Sequence, residues 1–115
     1  MTQTYHFLPA EGPMLMSAAG IDAFLSEAFS AGTVWLAVPS ERLGPDFFDL
    51  STRLLGETAQ KFRNYNVGLV VVGDISTHEQ CSAAFRDFLR ETNEGNAFWF
   101  VRDEHELREK LVERT

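Results

Sequence analysis

Cysteine is scarce in this sequence, with Cys81 standing alone among 115 residues. A lone cysteine cannot close a disulfide within the chain, so the fold must rest on a packed core, which 44% apolar residues can supply. No run approaches the roughly 20 apolar residues that span a bilayer. The N-terminus also lacks the basic stretch and apolar run of a secretory signal. We therefore expect one domain over residues 1–115, cytoplasmic and not bound to a membrane.

Basic residues are also few, with 10 Lys and Arg against 17 Asp and Glu, for a net charge of −7. Proteins that bind nucleic acid concentrate Lys and Arg on one face, because the phosphate backbone is a polyanion. Here the basic side chains are scattered among acidic ones. The sequence therefore predicts no nucleic-acid partner, and the charge is better explained by solubility.

Signatures of catalysis and metal binding are missing. The chain has no G-x-S-x-G, no phosphate-binding loop and no G-x-G-x-x-G. His6, His78 and His105 lie far apart, and none is spaced with another ligand as a metal site requires. Cys81 falls on an apolar helical stripe, which predicts a core residue. We expect no metal and no cofactor, and the sequence favours a protein that is not an enzyme.

Three short runs are apolar throughout: Val34–Val38, Leu69–Val72 and Ala97–Val101. Such runs are typical of strands that are covered on both faces. Segments with helical periodicity precede and separate these runs, and they carry Phe24, Phe48, Phe62, Phe85 and Phe88 on their apolar stripes. Strands that alternate with helices imply right-handed crossovers and a mainly parallel sheet, with those phenylalanines in the core.

The remaining segments complete the predicted fold. Tyr5–Phe7 and Met14–Met16 flank a turn, which predicts an N-terminal hairpin. One long helix is predicted from Pro45 to Tyr65, and another from the capping box at Ser76–Glu79 to Gly95. The predicted fold is a single α/β domain with a mainly parallel sheet of four to five strands, that hairpin and about four helices. A final helix is predicted after Asp103, which with Glu106 has the form of a helix cap.

The chain resembles a family of small bacterial proteins known as the domain of unknown function numbered 4180. The resemblance lies in the strings FFDLSTRLLGETAQKFRNYN, VVVGDIS and FLRETNEG, and covers about the C-terminal two-thirds. It implies a family and no activity, because the family has none assigned. The residues that match are Phe47, Phe48, Asp49, Leu50, Thr52, Leu54, Gly56, Glu57, Gln60, Lys61, Phe62, Asn64, Tyr65, Gly73, Asp74, Ser76, Phe88, Glu91, Asn93 and Gly95.

A weaker likeness is to the STAS domain of anti-sigma-factor antagonists, which has a similar order of β-α units. In that domain a phosphorylatable Ser or Thr opens the second helix. Asp49-Leu50-Ser51-Thr52 looks like that neighbourhood, although Arg53 replaces its glycine. The likeness implies Ser51 or Thr52 as a phosphoacceptor if the helix begins beside them. If it begins at Pro45, Thr52 instead caps or packs within its own helix.

Asp74 directly follows the second apolar strand. In open parallel sheets, ligands bind outside the carboxyl ends of the strands. A ligand crevice could therefore form from Asp74, Arg42 and Thr52, with Glu41 beside them. The alternative is that Asp74 shapes the turn before the next helix, as Asp often does.

Gly56 lies within the second helix, where it costs roughly 1 kcal/mol relative to Ala. The position of Gly56 predicts that this helix approaches the sheet or a second subunit closely. Contact with a ligand is the less favoured alternative. Glu57, Gln60, Lys61 and Asn64 form a polar face beside Gly56, which is either solvated or a recognition surface.

Two functions remain open at this point. The first is a non-catalytic regulatory or protein-interaction module, with another protein or a second copy (a homodimer) as partner. The second is a small-ligand binder or small enzyme that uses the crevice around Asp74 and Arg42.

Overall fold

Four parallel strands form one sheet in the order β1-β2-β3-β4. The computed structural model describes residues 5–95 and 97–114, without the side chains of Glu79, Cys81 and residues 113 and 114. The strands are β1 (Tyr5–Phe7), β2 (Trp35–Pro39), β3 (Gly68–Val72) and β4 (Phe98–Val101). The predicted parallel sheet is confirmed. The predicted core position of Cys81 lies outside the described side chains.

Six α-helices occur in the described part of the chain. They are α1 (Ile21–Ala31), α2 (Pro45–Phe48), α3 (Leu54–Asn64), α4 (Ser76–Cys81), α5 (Ala83–Glu94) and α6 (Glu104–Arg114). Short 3₁₀ turns occur at Ala18–Gly20, Ser40–Arg42 and Leu50–Thr52. Among the described residues, no helix is both long enough and apolar enough to cross a bilayer.

The layering follows from the strand order. Strands that advance in one direction through right-handed crossovers place every crossover helix on the same face of the sheet. Accordingly α1, α2, α3 and α5 pack on one face, against the side chains of Leu36, Val71 and Phe100 and their neighbours. After β4 the chain turns to the other face, where α6 packs through Leu107.

The predicted core is confirmed. Phe24, Phe48, Phe62 and Phe85 are buried, and Phe88 is half-buried against the same cluster. Three of these rings make edge-to-face contacts that reach the sheet: Phe48 contacts Phe85, Phe85 contacts Phe100 at a centroid distance of 5.9 Å, and Phe88 contacts Phe98. Phe29 and Tyr65, which lie near the ends of α1 and α3, are more than half exposed. Val34 is also exposed and precedes β2.

The predicted N-terminal hairpin is wrong. β1 pairs in parallel with β2, and Leu15 makes an isolated parallel bridge with Leu43. β1 therefore lies beside β2, and α1 forms the crossover between these two parallel strands. The segment around Leu15 instead runs along the carboxyl end of the sheet, where its N–H donates to the carbonyl of Arg42 at 2.7 Å.

The predicted helix from Pro45 to Tyr65 is interrupted. Asp49 has extended backbone angles, and its Oδ1 accepts hydrogen bonds from both the N–H and the hydroxyl of Ser51. Such side-chain bonds compete with helical ones. Arg53 then adopts a left-handed conformation, with φ of 65°. Helix α2 therefore ends at Phe48, and α3 begins at Leu54.

The predicted helix from Ser76 to Gly95 is also interrupted. Ser82 is extended, and its Oγ accepts a hydrogen bond from Phe85 N–H at 3.1 Å, which caps α5. At the start of α4, Asp74 rather than Ser76 supplies the side-chain acceptor. The other half of the predicted capping box, the Glu79 side chain, lies outside the described residues. These two interruptions account for six helices where about four are predicted.

Candidate functional site

A crevice lies at the carboxyl ends of strands β3 and β4. From β3 the chain continues into α4 and α5 on one face, whereas from β4 it continues into α6 on the other. Adjacent strands whose connections leave towards opposite faces form the kind of crevice in which α/β proteins bind ligands. We call it the β3–β4 crevice. It has a volume of about 680 Å³ and is lined by Gly73, Asp74, Ile75, Ser76, Leu89, Asn93, Phe100, Val101, Arg102 and Glu106.

Asp74 lies exposed at this crevice, as its position after a buried strand predicts. Its Oδ1 accepts a hydrogen bond from the N–H of Ser76 at 3.0 Å. The hydrogen bonds from Ser76 lower the pKa of Asp74 below its usual value, and the nearby charge of Arg102 lowers this pKa further. The carboxylate is therefore ionised at neutral pH. It also shapes the turn, so the two roles weighed for Asp74 are compatible.

Two further polar side chains line the crevice, and the sequence assigned a role to neither: Asn93, which matches the family pattern, and Arg102. Asn93 Oδ1 accepts a hydrogen bond from Phe100 N–H at 2.7 Å, which leaves its amide nitrogen as a donor without a partner in the described part of the chain. The Arg102 guanidinium also forms no salt bridge among the described residues. One signal could have pointed to Arg102: it directly follows β4, much as Asp74 follows β3 with only Gly73 between them.

Arg42, predicted as the basic member of a crevice with Asp74, lies elsewhere. Its side chain is 6% exposed and lies over the ring of Phe24 at 5.2 Å. Its Nε donates to the carbonyl of Pro13 at 2.8 Å, and its Nη1 to the carbonyl of Pro9 at 3.0 Å. Arg42 does not line the β3–β4 crevice. Its guanidinium holds the segment between β1 and α1 against the end of the sheet.

Glu41 lies at a second, more open depression of about 550 Å³, which Arg102 also borders. Ser51 and Thr52 lie at neither place, since they form the turn between α2 and α3. The structure thus brings Asp74 together with Arg102 and Asn93.

Ser51 and Thr52 are both exposed, directly before α3. Ser51 Oγ donates to Asp49 Oδ1 at 2.7 Å. The hydrogen bonds that Asp49 accepts from the hydroxyl and the N–H of Ser51 lower the pKa of Asp49 below its usual value. The hydroxyl of Thr52 donates a hydrogen bond that is shared between the carbonyls of Asp46, at 2.6 Å, and Asp49, at 2.8 Å. The same oxygen accepts a hydrogen bond from Leu54 N–H at 3.3 Å. The hydroxyl of Ser51 thus has one hydrogen-bond partner among the described residues, whereas that of Thr52 lies within hydrogen-bonding distance of three backbone groups.

The polar face of α3 borders another cavity, which is separate from the two described above. A groove of about 540 Å³ runs between α3 and α5 and is lined by Gly56, Ala59, Gln60, Arg63, Asn64, Phe88, Glu91, Thr92, Gly95, Ala97 and Phe98. A side-chain carbon added at Gly56 would meet no atom within 4 Å. The expected close approach of Gly56 to the sheet is therefore wrong, and its side faces open space. We call this region the α3–α5 groove.

The four predicted face residues differ in their contacts. Glu57, Gln60 and Asn64 are exposed, whereas Lys61 is half-buried and pairs with Asp22 of α1 at 2.8 Å. This contact raises the pKa of Lys61. Lys61 thus links α3 to α1, and the remaining three stay open to solvent.

His78 and His105 contact neighbouring side chains. His78 stacks on Phe48 with ring centroids 4.0 Å apart, and His105 is exposed beside Glu109. Within residues 5–95 and 97–114, no three His, Cys, Asp or Glu side chains are grouped closely enough to hold a metal ion.

Comparison with known proteins places the chain in a family. The model of the family described as "Domain of unknown function (DUF4180)" matches residues 2–111, and the chain belongs to this family. No curated protein and no solved structure matches it. The likeness to the STAS domain stays a hypothesis.

Proposed function

We propose that this chain is a non-catalytic regulatory module that works by protein interaction through α3 and the α3–α5 groove, and that its partner there is a second copy of the chain. The observation that carries the proposal is Gly56. A glycine within a helix costs roughly 1 kcal/mol relative to Ala. Because a side chain at position 56 would meet nothing within 4 Å, no contact within the described chain offsets this cost.

A second copy fits this surface because α3 is complementary to itself. In a two-fold contact between antiparallel α3 helices that cross near Gln60, residues at equal distances on either side of Gln60 face one another. Glu57 then faces Arg63 of the second copy, a carboxylate opposite a guanidinium. Gly56 faces Asn64 of the second copy and leaves room for its side chain.

The charges on this surface support the same arrangement. Glu57 and Arg63 are exposed and form no salt bridge among the described residues. The face is polar, as are the surfaces of transient assemblies, so we expect an affinity in the micromolar range.

Sedimentation velocity of Gly56→Leu tests this proposal. We expect the wild-type chain to form dimers at tens of micromolar, and Gly56→Leu to weaken self-association by about tenfold or more while the melting temperature holds or rises. The matched control is Ala23→Leu, which adds the same side chain at an exposed position of α1 and should leave association unchanged. A monomer of 13.0 kDa at high micromolar concentration would contradict the proposal.

The regulatory part of the proposal enters at Ser51 and Thr52. A phosphate would add about −1.5 to −2 charge at the turn that connects α2 to α3. On Ser51 it would replace a hydroxyl that lies 2.7 Å from the Asp49 carboxylate, so the two negative groups would repel and open the turn. We further propose a cytoplasmic location, which the single cysteine favours.

A second function, the binding of a small ligand or a reaction upon it, is favoured by the β3–β4 crevice. In this function Asp74 is the acidic residue of the ligand crevice, as predicted, and the basic residue is Arg102 instead of the predicted Arg42. Substitution of Asp74 should then weaken ligand binding without changing self-association, which separates the two functions.

A further inference from the structure

The chemistry of the β3–β4 crevice identifies a class of ligand, and this step rests on the second function proposed above. The volume of about 680 Å³ lies within the roughly 300–1,000 Å³ typical of small-molecule sites. The crevice is built on both sides by the chain segments that leave β3 and β4 towards opposite faces of the sheet.

Charges of both signs line the crevice. Asp74 has one carboxylate oxygen, Oδ2, outside its hydrogen bond with Ser76 N–H, so it can accept from a cationic ligand group. Arg102 and the amide nitrogen of Asn93 supply donors, which suit an anionic group. Glu106 uses Oε1 to accept from Arg102 N–H at 3.1 Å, which fixes the backbone beside this guanidinium.

This combination excludes simpler ligands. An anion without a positive group would meet the carboxylates of Asp74 and Glu106, and a cation without a negative group would meet the guanidinium of Arg102. A bare metal ion lacks its ligands, since the described residues contain no group of three acids, histidines or cysteines. The same crevice also exposes apolar lining from Ile75, Leu89 and Phe100, which a fully polar molecule would leave uncovered.

We infer that the β3–β4 crevice binds a small zwitterion with an apolar body, of the kind found in apolar amino acids and short apolar peptides. Its ammonium group lies at Asp74. Its carboxylate lies at Arg102 and the amide nitrogen of Asn93, and its apolar body packs on Leu89 and Phe100. No covalent step is involved.

NMR titration of the ¹⁵N-labelled full chain tests this inference with four probes. These are L-leucine, the dipeptide Leu-Leu, isopentylamine (the ammonium without the carboxylate) and 4-methylpentanoate (the carboxylate without the ammonium). We expect leucine or Leu-Leu to shift the amide signals of Gly73, Ser76 and Arg102 and to saturate. The two probes with a single charge should bind at least about tenfold more weakly, because each leaves one charged group without its partner. Tighter binding of Leu-Leu than of leucine would identify a peptide as the source of the zwitterion, and the reverse would identify the free amino acid.

Two charge-neutral variants check the assignment of the ligand groups. Asp74→Asn retains an oxygen that can accept from Ser76 N–H, so the turn should persist while the ammonium loses its carboxylate. Arg102→Gln removes the guanidinium. Each should weaken zwitterion binding by about tenfold or more. The matched controls Glu27→Gln and Arg86→Gln make the same charge changes at exposed positions away from the crevice, and should bind as the wild-type chain does.

The outcomes separate the ligand class from the site. Binding of the amine or the acid as tightly as the zwitterion would overturn the ligand class and leave the crevice as a site. No shift at the crevice with any probe up to about 10 mM, or zwitterion binding unchanged in both variants, would overturn the crevice itself together with the second proposed function. Neither outcome bears on self-association through α3.

Discussion

The indole rings of Trp35 and Trp99 stack on one another, with centroids 4.2 Å apart and an angle of 21° between their planes. They come from β2 and β4 and meet across β3, on the face of the sheet that α6 covers. The stack is possible because Gly68, the residue of β3 that pairs with Trp35, has no side chain: a side-chain carbon added there would overlap the ring of Trp35. The glycine of β3 therefore lets two aromatic rings from non-adjacent strands touch.

Gly68 and Gly56 should respond to alanine in opposite directions. Gly68→Ala should push Trp35 off Trp99 and lower the free energy of unfolding by about 1–3 kcal/mol, as overpacking does. Gly56→Ala should raise this free energy by up to about 1 kcal/mol, because the added carbon meets open space within a helix. Urea denaturation at low micromolar concentration, followed by tryptophan fluorescence, measures both. Equal effects of the two substitutions would contradict the packing described for Gly68.

Phe85 should be among the side chains that contribute most to stability. It is fully buried, and its ring contacts those of Phe48 and Phe100. Phe85→Ala should lower the free energy of unfolding by about 3–5 kcal/mol. The control Phe29→Ala removes the same ring where it is 54% exposed and should cost far less. Thermal melts of the two variants that coincide would show that α5 packs in another orientation.

Arg42 should act as a structural residue rather than a ligand-binding one. Arg42→Met should lower the free energy of unfolding by about 1–3 kcal/mol, because the carbonyls of Pro9 and Pro13 lose their donor. Arg42→Lys should recover only part of this loss, since one ammonium cannot reproduce the forked geometry of a guanidinium. Chemical denaturation measures the loss, and limited proteolysis between β1 and α1 should become faster in Arg42→Met. Unchanged stability in Arg42→Met would contradict this role.

The turn at Ser51 should respond to negative charge more strongly when Asp49 is present. Ser51→Asp should destabilise the turn, because its carboxylate lies beside that of Asp49. Combination with Asp49→Asn should remove most of this effect, since one of the two charges is gone. Amide hydrogen exchange of residues 49–55 reports the opening directly. Exchange that is unchanged in Ser51→Asp would contradict the proposed entry of regulation at this turn.

Acid should destabilise the fold in part through Asp49 and Asp74. Hydrogen bonds from Ser51 and Ser76, respectively, lower the pKa of each carboxyl in the folded state. Between this lowered pKa and the unfolded value of about 3.9, the unfolded chain binds more protons, so stability rises with pH. The contribution is complete above about pH 4 and is lost as the pH falls through the folded pKa. Melting temperatures from pH 2 to 6 should fall less steeply at the acid end in Asp74→Asn, and an unchanged slope would contradict the assignment.

The strands and the core follow from the sequence by itself. β2, β3 and β4 are runs such as Leu69–Val72 that are apolar at every position, and such a run is stable where both faces of a strand are covered. The helical periodicity between them required right-handed crossovers, and from this the parallel sheet followed. Buried phenylalanines such as Phe62 and Phe85 were predictable because hydrophobic burial depends on spacing and not on fine geometry.

Tertiary structure decided where the helices break and which polar groups meet. The bonds of Asp49 with Ser51, and the cap that Ser82 provides, interrupt two helices without disturbing the apolar spacing, so periodicity could not reveal them. The sequence placed Asp74 at a strand end but could not choose between Arg42 and Arg102. The tertiary structure made that choice, because β4 is the neighbour of β3, the chain after β4 turns to the opposite face, and the crevice at these two strand ends is lined by Asp74 and Arg102.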